Sequence, residues 1–192
     1  MKKLNEFNVK LRKAQRAVLG IFLAAAVIVL SIANCAVAKA FEPEDQYDDS
    51  EISEGERLGD WFADDAFAQY VYNDILKKDN WKEKGPDYNL SESDIHTIRN
   101  CTSVNIRYSN VKRLTGIQNF TKLKFLDCSG SAVSSVIVFG LDKLQSLNCN
   151  NTHIKDMFIS NCSKLQTFCC TDADVEELNI YNCNNLKQIS CD

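Results

Sequence analysis

The sequence predicts an α+β solenoid of about four coils of 21–22 residues, with two short ladders of parallel strands and a small helical cap before them. Three observations predict it. Similar segments begin at Leu123, Leu144, Leu165 and Leu186, which are spaced 21 residues apart. Apolar residues recur at fixed positions within these segments, and two amphipathic segments precede them. A fixed period of this length indicates stacked coils, because a single coil cannot bury its own apolar face.

The N-terminal 40 residues have the composition of an export signal. They contain seven bases and one acid, and an uncharged run extends from Ala17 to Ala38. Ala38-Lys39-Ala40 fits a cleavage site, which predicts a signal peptide over residues 1–40 and a mature chain that begins at Phe41. An uncleaved membrane anchor over residues 17–38 is the alternative, since 22 uncharged residues can span a bilayer.

The rest of the chain is acidic. Residues 41–56 contain eight acids and no base, which predicts an acidic disordered linker over residues 41–57. Beyond residue 40 the chain has 15 bases and 25 acids, a net charge of −10. Nucleic acid is therefore excluded as an expected partner, because an acidic surface repels phosphates.

Residues 58–100 are expected to form the helical cap. Within residues 60–78, apolar side chains recur at helical spacing at Phe67, Tyr70, Val71 and Ile75. A second helix is predicted to start at Ser91, where Ser91 and Asp94 resemble a capping box.

The segment between these two helices, residues 79–89, is expected to be a loop with a turn at Gly85-Pro86. A helix–loop–helix of this size raises the question of an EF-hand. Trp81 occupies a ligand position, and Lys82 and Lys84 would repel the ion, so we expect no calcium site.

Each repeat of residues 101–192 has two pairs of apolar positions. Positions 4 and 6 are two residues apart, as are positions 14 and 16, and this spacing predicts two short strands whose paired side chains point inward. The inward residues expected at these positions are Leu126, Cys128, Val136, Val138, Leu147, Cys149, Met157, Ile159, Phe168, Cys170, Leu178, Ile180, Ile189 and Cys191.

The pattern LxxLxCxxxxI at positions 1–11 resembles the leucine-rich-repeat family, in particular the short repeats of the internalins and BspA-like proteins. The preceding helices and the segment 114–120 resemble that family's helical cap and first repeat, which extends the likeness to about residues 58–192. The family usually has asparagine at position 9, where this chain has Ser131, Thr152 and Ala173. The resemblance implies protein or glycan recognition outside the cell, without catalysis.

Eight cysteines follow residue 40, and most of them fall at two repeat positions. Position 6 holds Cys128, Cys149, Cys170 and Cys191, and position 19 holds Cys162 and Cys183. We expect these to be free packing residues rather than disulfides or metal ligands, because stacked side chains run parallel and no CxxC pair converges on a metal. Cys169 is expected to point outward, as a reactive thiol, an intermolecular bridge or a tolerated small residue.

No catalytic motif is present in the sequence. It lacks GxSxG, HExxH, a P-loop and GxGxxG, and neither His96 nor His153 has a motif around it. We therefore expect no enzyme activity, no cofactor and no metal.

The expected ligand-binding surface lies on the second strand of each coil. Its outward positions bring together Ile137, Phe139, Phe158 and Tyr181. Such an apolar patch is typical of an interaction site, although the same residues could pack beneath a neighbouring segment instead.

The sequence thus predicts a secreted or cell-surface, non-catalytic module that binds a protein or glycan, with a membrane contact only through an uncleaved N-terminal segment. Two alternatives remain open. One is a structural or assembly protein that self-associates through an open C-terminal end, and the other is a fragment of a longer repeat protein.

Overall fold

Two parallel sheets run along the repeats. In the computed structural model, which describes residues 52–191, the five-stranded sheet has the order β1-β2-β4-β6-β8 and the three-stranded sheet the order β3-β5-β7. The strands are β1 Ser103–Asn105, β2 Phe125–Asp127, β3 Ser135–Phe139, β4 Ser146–Asn148, β5 Asp156–Ser160, β6 Thr167–Cys169, β7 Glu177–Tyr181 and β8 Gln188–Ser190.

The register of the sheets repeats the period of the sequence. Val104 pairs with Leu126, and Leu126 pairs with Leu147 21 residues later. Both pairings are parallel, so equivalent side chains stack from coil to coil. The predicted solenoid of two parallel ladders is confirmed.

The core lies between the two sheets and follows the predicted columns. Leu126, Leu147 and Phe168 are almost completely buried on the five-stranded side, as are Val136 and Met157 on the three-stranded side. Each of these residues sits between outward-pointing neighbours, as the two-residue alternation of a strand requires.

Short helices precede the repeats, as predicted. They are α1 Leu58–Trp61, α2 Asp65–Tyr70, which continues as a π-helical turn over Val71–Ile75, α3 Trp81–Lys84 and α4 Glu92–Asn100, with 3₁₀ turns at Gly85–Asp87 and Ile117–Asn119. The prediction of one helix over residues 60–78 is wrong. Asp64 starts a new helix because its side chain accepts the Phe67 N–H at 3.0 Å.

Helix α4 begins at the predicted capping box. The Ser91 hydroxyl accepts the Asp94 N–H at 3.3 Å, and the Asp94 carboxylate accepts the Ser91 N–H at 3.0 Å. Ile95 and Ile98 on this helix are buried. The predicted start of the second helix is confirmed.

The ordered cap begins upstream of the predicted boundary. Ile52 is buried, the Gly55 N–H donates to the Leu90 carbonyl at 2.8 Å, and the Leu90 N–H donates to the Glu56 carbonyl at 2.8 Å. Backbone pairing and the one buried apolar side chain thus place residues 52–57 beside the cap, although their composition is acidic. The predicted signal peptide, the remainder of the linker and Asp192 lie outside the described residues.

Tight contacts join the cap to the first coil. Gly116 has a φ of +92°, and a Cβ at this position would lie 2.3 Å from the Trp61 carbonyl oxygen. Only glycine accommodates both that backbone conformation and that approach. The second oxygen of Asp64 accepts the Lys112 N–H at 3.0 Å.

Among residues 52–191, no helix is both long enough and apolar enough to cross a membrane.

Candidate binding surfaces

Two exposed aromatic side chains lie on the outer face of the five-stranded sheet and in the turn beside it. Phe125, the first residue of β2, is 48% exposed, and Tyr108, just after β1, is 75% exposed. Single exposed apolar side chains are common on folded domains, so the groups around these two decide whether they mark an interaction site.

Tyr108 occupies a backbone position that does not suit it. The equivalent residues of the next three coils are Gly130, Asn151 and Asp172, and all four have a φ between 54° and 65°. Glycine, asparagine and aspartate tolerate this left-handed conformation, whereas for a bulky side chain it costs about 1–2 kcal/mol. Tyr108 therefore has a left-handed backbone conformation that tyrosine normally disfavours.

The next coil makes room for the Tyr108 ring. A Cβ on Gly130 would lie 2.4 Å from Cδ1 and 2.6 Å from Cε1 of the ring. One edge of the ring thus rests against Gly130, and the Tyr108 N–H donates to the Ser129 carbonyl at 3.0 Å. The position of Tyr108 is fixed although most of its surface is in solvent.

Polar side chains surround Tyr108. The Arg107 guanidinium lies over the ring, 5.4 Å from its centroid, and the Arg107 Nε lies 3.8 Å from Asp127 Oδ2. Asp127 Oδ1 accepts both the N–H and the hydroxyl of Ser129, at 3.0 and 2.6 Å. These contacts give donors and acceptors fixed positions beside an exposed ring.

The predicted patch on the three-stranded sheet does bring its residues together. Ile137 pairs with Phe158, and Phe139 and Tyr181 occupy equivalent positions in the strands on either side of Ser160. The rings of Phe158 and Tyr181 lie 5.7 Å apart. Ile137, Phe139 and Tyr181 are half-buried.

Phe158 departs from the expectation of an exposed anchor, because it is only 3% exposed. The Tyr181 ring packs against it, and alternation along a strand sets the direction of a side chain without setting what covers it. Ser160 is also fully buried, and its hydroxyl has no hydrogen-bond partner. Burial, helped by the nearby Glu177 charge, raises the pKa of Tyr181 above its ordinary value.

The cysteines at repeat position 6 form a buried column. Cys128 and Cys149 are free and fully buried, and their sulfurs lie 3.3 Å apart. Cys162 and Cys183 at position 19 are also free and buried. The prediction that these are packing residues is confirmed for all four.

For Cys170 and Cys191, the last two cysteines at position 6, the prediction of free packing residues is wrong, because they form a disulfide. The prediction assumed that parallel side chains keep their sulfurs apart. The Cα atoms of this pair lie 4.5 Å apart, which is within the range that a disulfide spans when the side chains turn toward each other. Cys169 is half-buried and free.

Both histidines are exposed. His96 is exposed on α4, and the exposed His153 contacts Asp174 at 2.8 Å. Within residues 52–191, no group of three or more histidine, cysteine, aspartate and glutamate side chains could hold a metal ion.

Hydroxyl side chains replace asparagine at repeat position 9. The Ser131 hydroxyl donates to the Cys128 carbonyl at 2.6 Å, and the Thr152 hydroxyl donates to the Cys149 carbonyl at 2.7 Å. Both hydroxyl residues are buried. Ala173, at the same position in the next coil, has no group to continue this series.

Two sheets of parallel strands with a 21-residue period and a helical cap define a leucine-rich-repeat solenoid, and comparison with solved structures agrees. An internalin (InlF) from Listeria monocytogenes matches with a TM-score of 0.51 at 15% identity, over 71% of this chain and 45% of that one. InlJ from the same species, whose functional domain is described as including a cysteine ladder, matches with a TM-score of 0.46 at 20% identity, over 72% and 34%.

The predicted internalin-like solenoid is thereby confirmed at the level of the fold. This chain spans less than half the length of either of these two structures. No family model matches the sequence, and no curated protein matches it.

Sequence reasoning missed Phe125 and Tyr108, although both gave a signal. Phe125 is an aromatic residue at a position that holds Ser146, Thr167 and Gln188 in later coils. Tyr108 stands where the later coils have residues typical of turns. Each of these two aromatic residues occurs in a single coil, whereas the second strand has outward apolar residues in three successive coils.

Proposed function

We propose that this chain is an exported, non-catalytic recognition module that binds a protein or glycan through the outer face of its five-stranded sheet. The observation that carries the proposal is the exposure of Phe125 and Tyr108 on neighbouring coils of a rigid sheet. Aromatic anchors surrounded by polar groups are typical of binding sites, where a few large side chains provide most of the affinity.

The rigidity of this face supports recognition rather than catalysis. Asn105, Asp127 and Asn148 each accept a backbone N–H two residues further along with a side-chain oxygen, at 3.3, 3.0 and 3.2 Å. These bonds fix the outward side chains of three successive coils. A preordered face loses less conformational entropy when a ligand binds.

Binding by this face can be tested with the full chain and an immobilised panel of oligosaccharides and extracellular proteins, both glycosylated and unglycosylated. The double variant Phe125→Ser, Tyr108→Asn should lose capture of every ligand that the wild-type chain binds. Lys164→Ala, an exposed residue on a connection between the sheets, is the matched control. Unchanged capture by the double variant would contradict the proposal.

Export is tested separately. N-terminal sequencing of the extracellular material should give a first residue of Phe41. A full-length product that remains in the cytosol would contradict export, and a full-length product in the membrane fraction would support the anchor over residues 17–38.

The patch of Ile137, Phe139, Phe158 and Tyr181 is the second candidate surface. It remains apolar and continuous across three strands, but its central ring is buried. Alanine at Tyr181 should reduce ligand capture without changing the circular dichroism spectrum if this patch binds the ligand. Parallel loss of fold and capture would assign these residues to packing.

A second candidate function is assembly through the C-terminal coil. Leu178, Ile180, Leu186 and Ile189 are partly exposed, whereas their equivalents in earlier coils are buried. A second copy that stacks on this coil would cover these side chains. Hydrogen exchange beyond residue 178 should then slow as protein concentration rises, and rates independent of concentration would exclude this assembly.

A further inference from the structure

Tyr108 has a side chain that contributes little to the fold. It is 75% exposed, and its backbone position is one that the later coils give to Gly130, Asn151 and Asp172. An asparagine would satisfy the backbone better. A residue that is locally unfavourable, exposed and nevertheless fixed in place is typical of a functional position.

The contact with Gly130 determines which part of the ring is available. The ring atoms nearest to a Cβ on Gly130 would be Cδ1 and Cε1, so the next coil covers this side of the ring and the rest of the side chain is exposed. The electron-rich faces of an aromatic ring attract groups with a partial positive charge. Such groups include protein cations and the C–H bonds of a sugar ring.

The neighbouring charges distinguish between these two kinds of ligand. The Arg107 guanidinium already lies 5.4 Å from the ring centroid, and it would repel a lysine or arginine of a partner. An anionic ligand would meet Asp127 and a chain that carries a net charge of −10 beyond residue 40. The ligand that fits this position is therefore neutral.

The hydrogen-bonding groups favour a ligand with hydroxyls. Arg107 offers donors, and Asp127 offers acceptor oxygens that are only partly buried. An apolar side chain placed over the ring would remove water from both groups without replacing its hydrogen bonds, which is costly. Adjacent sugar hydroxyls both donate and accept, so they could replace that water.

We propose that Tyr108 is the stacking platform for one neutral sugar ring of a glycan, with Arg107 and Asp127 binding the sugar hydroxyls and Gly130 packing against the Cδ1–Cε1 side of the tyrosine ring. The proposal rests on the recognition function above and names the class of its ligand. It concerns the turn beside β1, whereas Phe125 lies at the opposite end of β2 and could serve a different part of the ligand.

The test uses the full chain and neutral methyl glycosides of glucose, galactose, mannose and N-acetylglucosamine. NMR of ¹³C-labelled tyrosine rings locates binding in the wild type, and titration of the glycosides' own proton signals measures the affinity of the wild type and of each variant. At least one glycoside should shift the Tyr108 resonances. Tyr108→Asn should weaken its binding by about tenfold or more, because the stacking contact is lost. Tyr108→Phe keeps the ring and should bind within about threefold of wild type.

Two results would overturn the proposal. One is the absence of Tyr108 shifts with all four glycosides, and the other is glycoside binding that Tyr108→Asn leaves unchanged. Tyr108→Asn is expected to fold, because the equivalent residue two coils later is Asn151, which has the same left-handed backbone conformation. If no glycoside binds but the chain captures a protein ligand through Phe125, the sugar proposal fails and the recognition function stands. If the wild-type chain binds no glycoside and captures no ligand from the panel, both are contradicted.

Discussion

The Asp64 carboxylate accepts the Lys112 N–H at 3.0 Å, although the two residues are 48 positions apart in the chain. The same carboxylate accepts the Phe67 N–H at the start of α2 and the Arg113 N–H at 3.2 Å. One buried side chain therefore both starts a helix of the cap and fastens the cap to the first coil.

Replacing this carboxylate should destabilise the whole domain. Asp64→Ala removes a helix cap and leaves buried backbone donors without a partner, so the free energy of unfolding should fall by about 3 kcal/mol. Asp65→Ala changes the adjacent exposed residue and should cost less than about 1 kcal/mol. Urea unfolding of both variants measures the difference, and similar losses would contradict the role of Asp64.

The hydroxyls at repeat position 9 should contribute to stability in a similar way. Thr152→Ala leaves the Cys149 carbonyl without its donor and should lower the free energy of unfolding by about 1–2 kcal/mol. Ala173→Ser introduces the missing donor one coil later and should raise it by about 0.5–1 kcal/mol. Thermal unfolding reports both effects. A lower free energy of unfolding for Ala173→Ser would contradict the expectation that a hydroxyl at residue 173 makes the same hydrogen bond as Ser131 and Thr152.

The cap should lose stability in acid because of Asp94. Burial raises the pKa of Asp94, but the hydrogen bonds that its carboxylate accepts outweigh burial and hold the pKa below its ordinary value. The donors are Ser91, Tyr88 and Lys78.

A folded-state pKa below the unfolded value means that this stabilisation is complete above about pH 4 and is lost as the pH falls through the folded pKa. Unfolding measured from pH 6 to pH 2 should show a smaller decline for Asp94→Asn than for wild type. Glu92→Gln, at an exposed position on the same helix, is the control and should decline as wild type does. Identical curves for Asp94→Asn and wild type would exclude this linkage.

The cysteines should differ sharply in reactivity. The hydrogen bond with Cys128, together with burial, raises the pKa of Cys149 well above its ordinary value, so its thiolate is scarce. Cys169 is half-buried and should react with iodoacetamide in the native protein, whereas Cys128 and Cys149 should react only after unfolding. Peptide mass spectrometry assigns each site, and native labelling of Cys149 would contradict the buried column.

The sequence predicts the repeats well because each coil is built from the same columns. The inward positions of Leu126, Leu147 and Phe168 follow from period alone, as do their stacking and their burial. The break before α2 was not predicted. It depends on Asp64, whose partners at Lys112 and Arg113 are distant in the chain, and helical spacing carries no information about them.

The candidate surfaces could be predicted only in part. Alternation placed Phe158 and Tyr181 on one face of the sheet correctly, but the burial of Phe158 depends on contacts across strands. The fit between Tyr108 and Gly130 likewise depends on the distance between two coils. Such distances follow from the folded backbone, which explains why Tyr108 was missed.

We infer that the exposed side chain of Tyr108 is maintained for recognition and not for folding. The free energy of unfolding of Tyr108→Asn in urea tests this inference. We expect this variant to be at least as stable as wild type, with a gain of about 1 kcal/mol, because asparagine suits the left-handed backbone that tyrosine disfavours. A loss of more than about 1 kcal/mol would show that the tyrosine serves the fold and would contradict the claim.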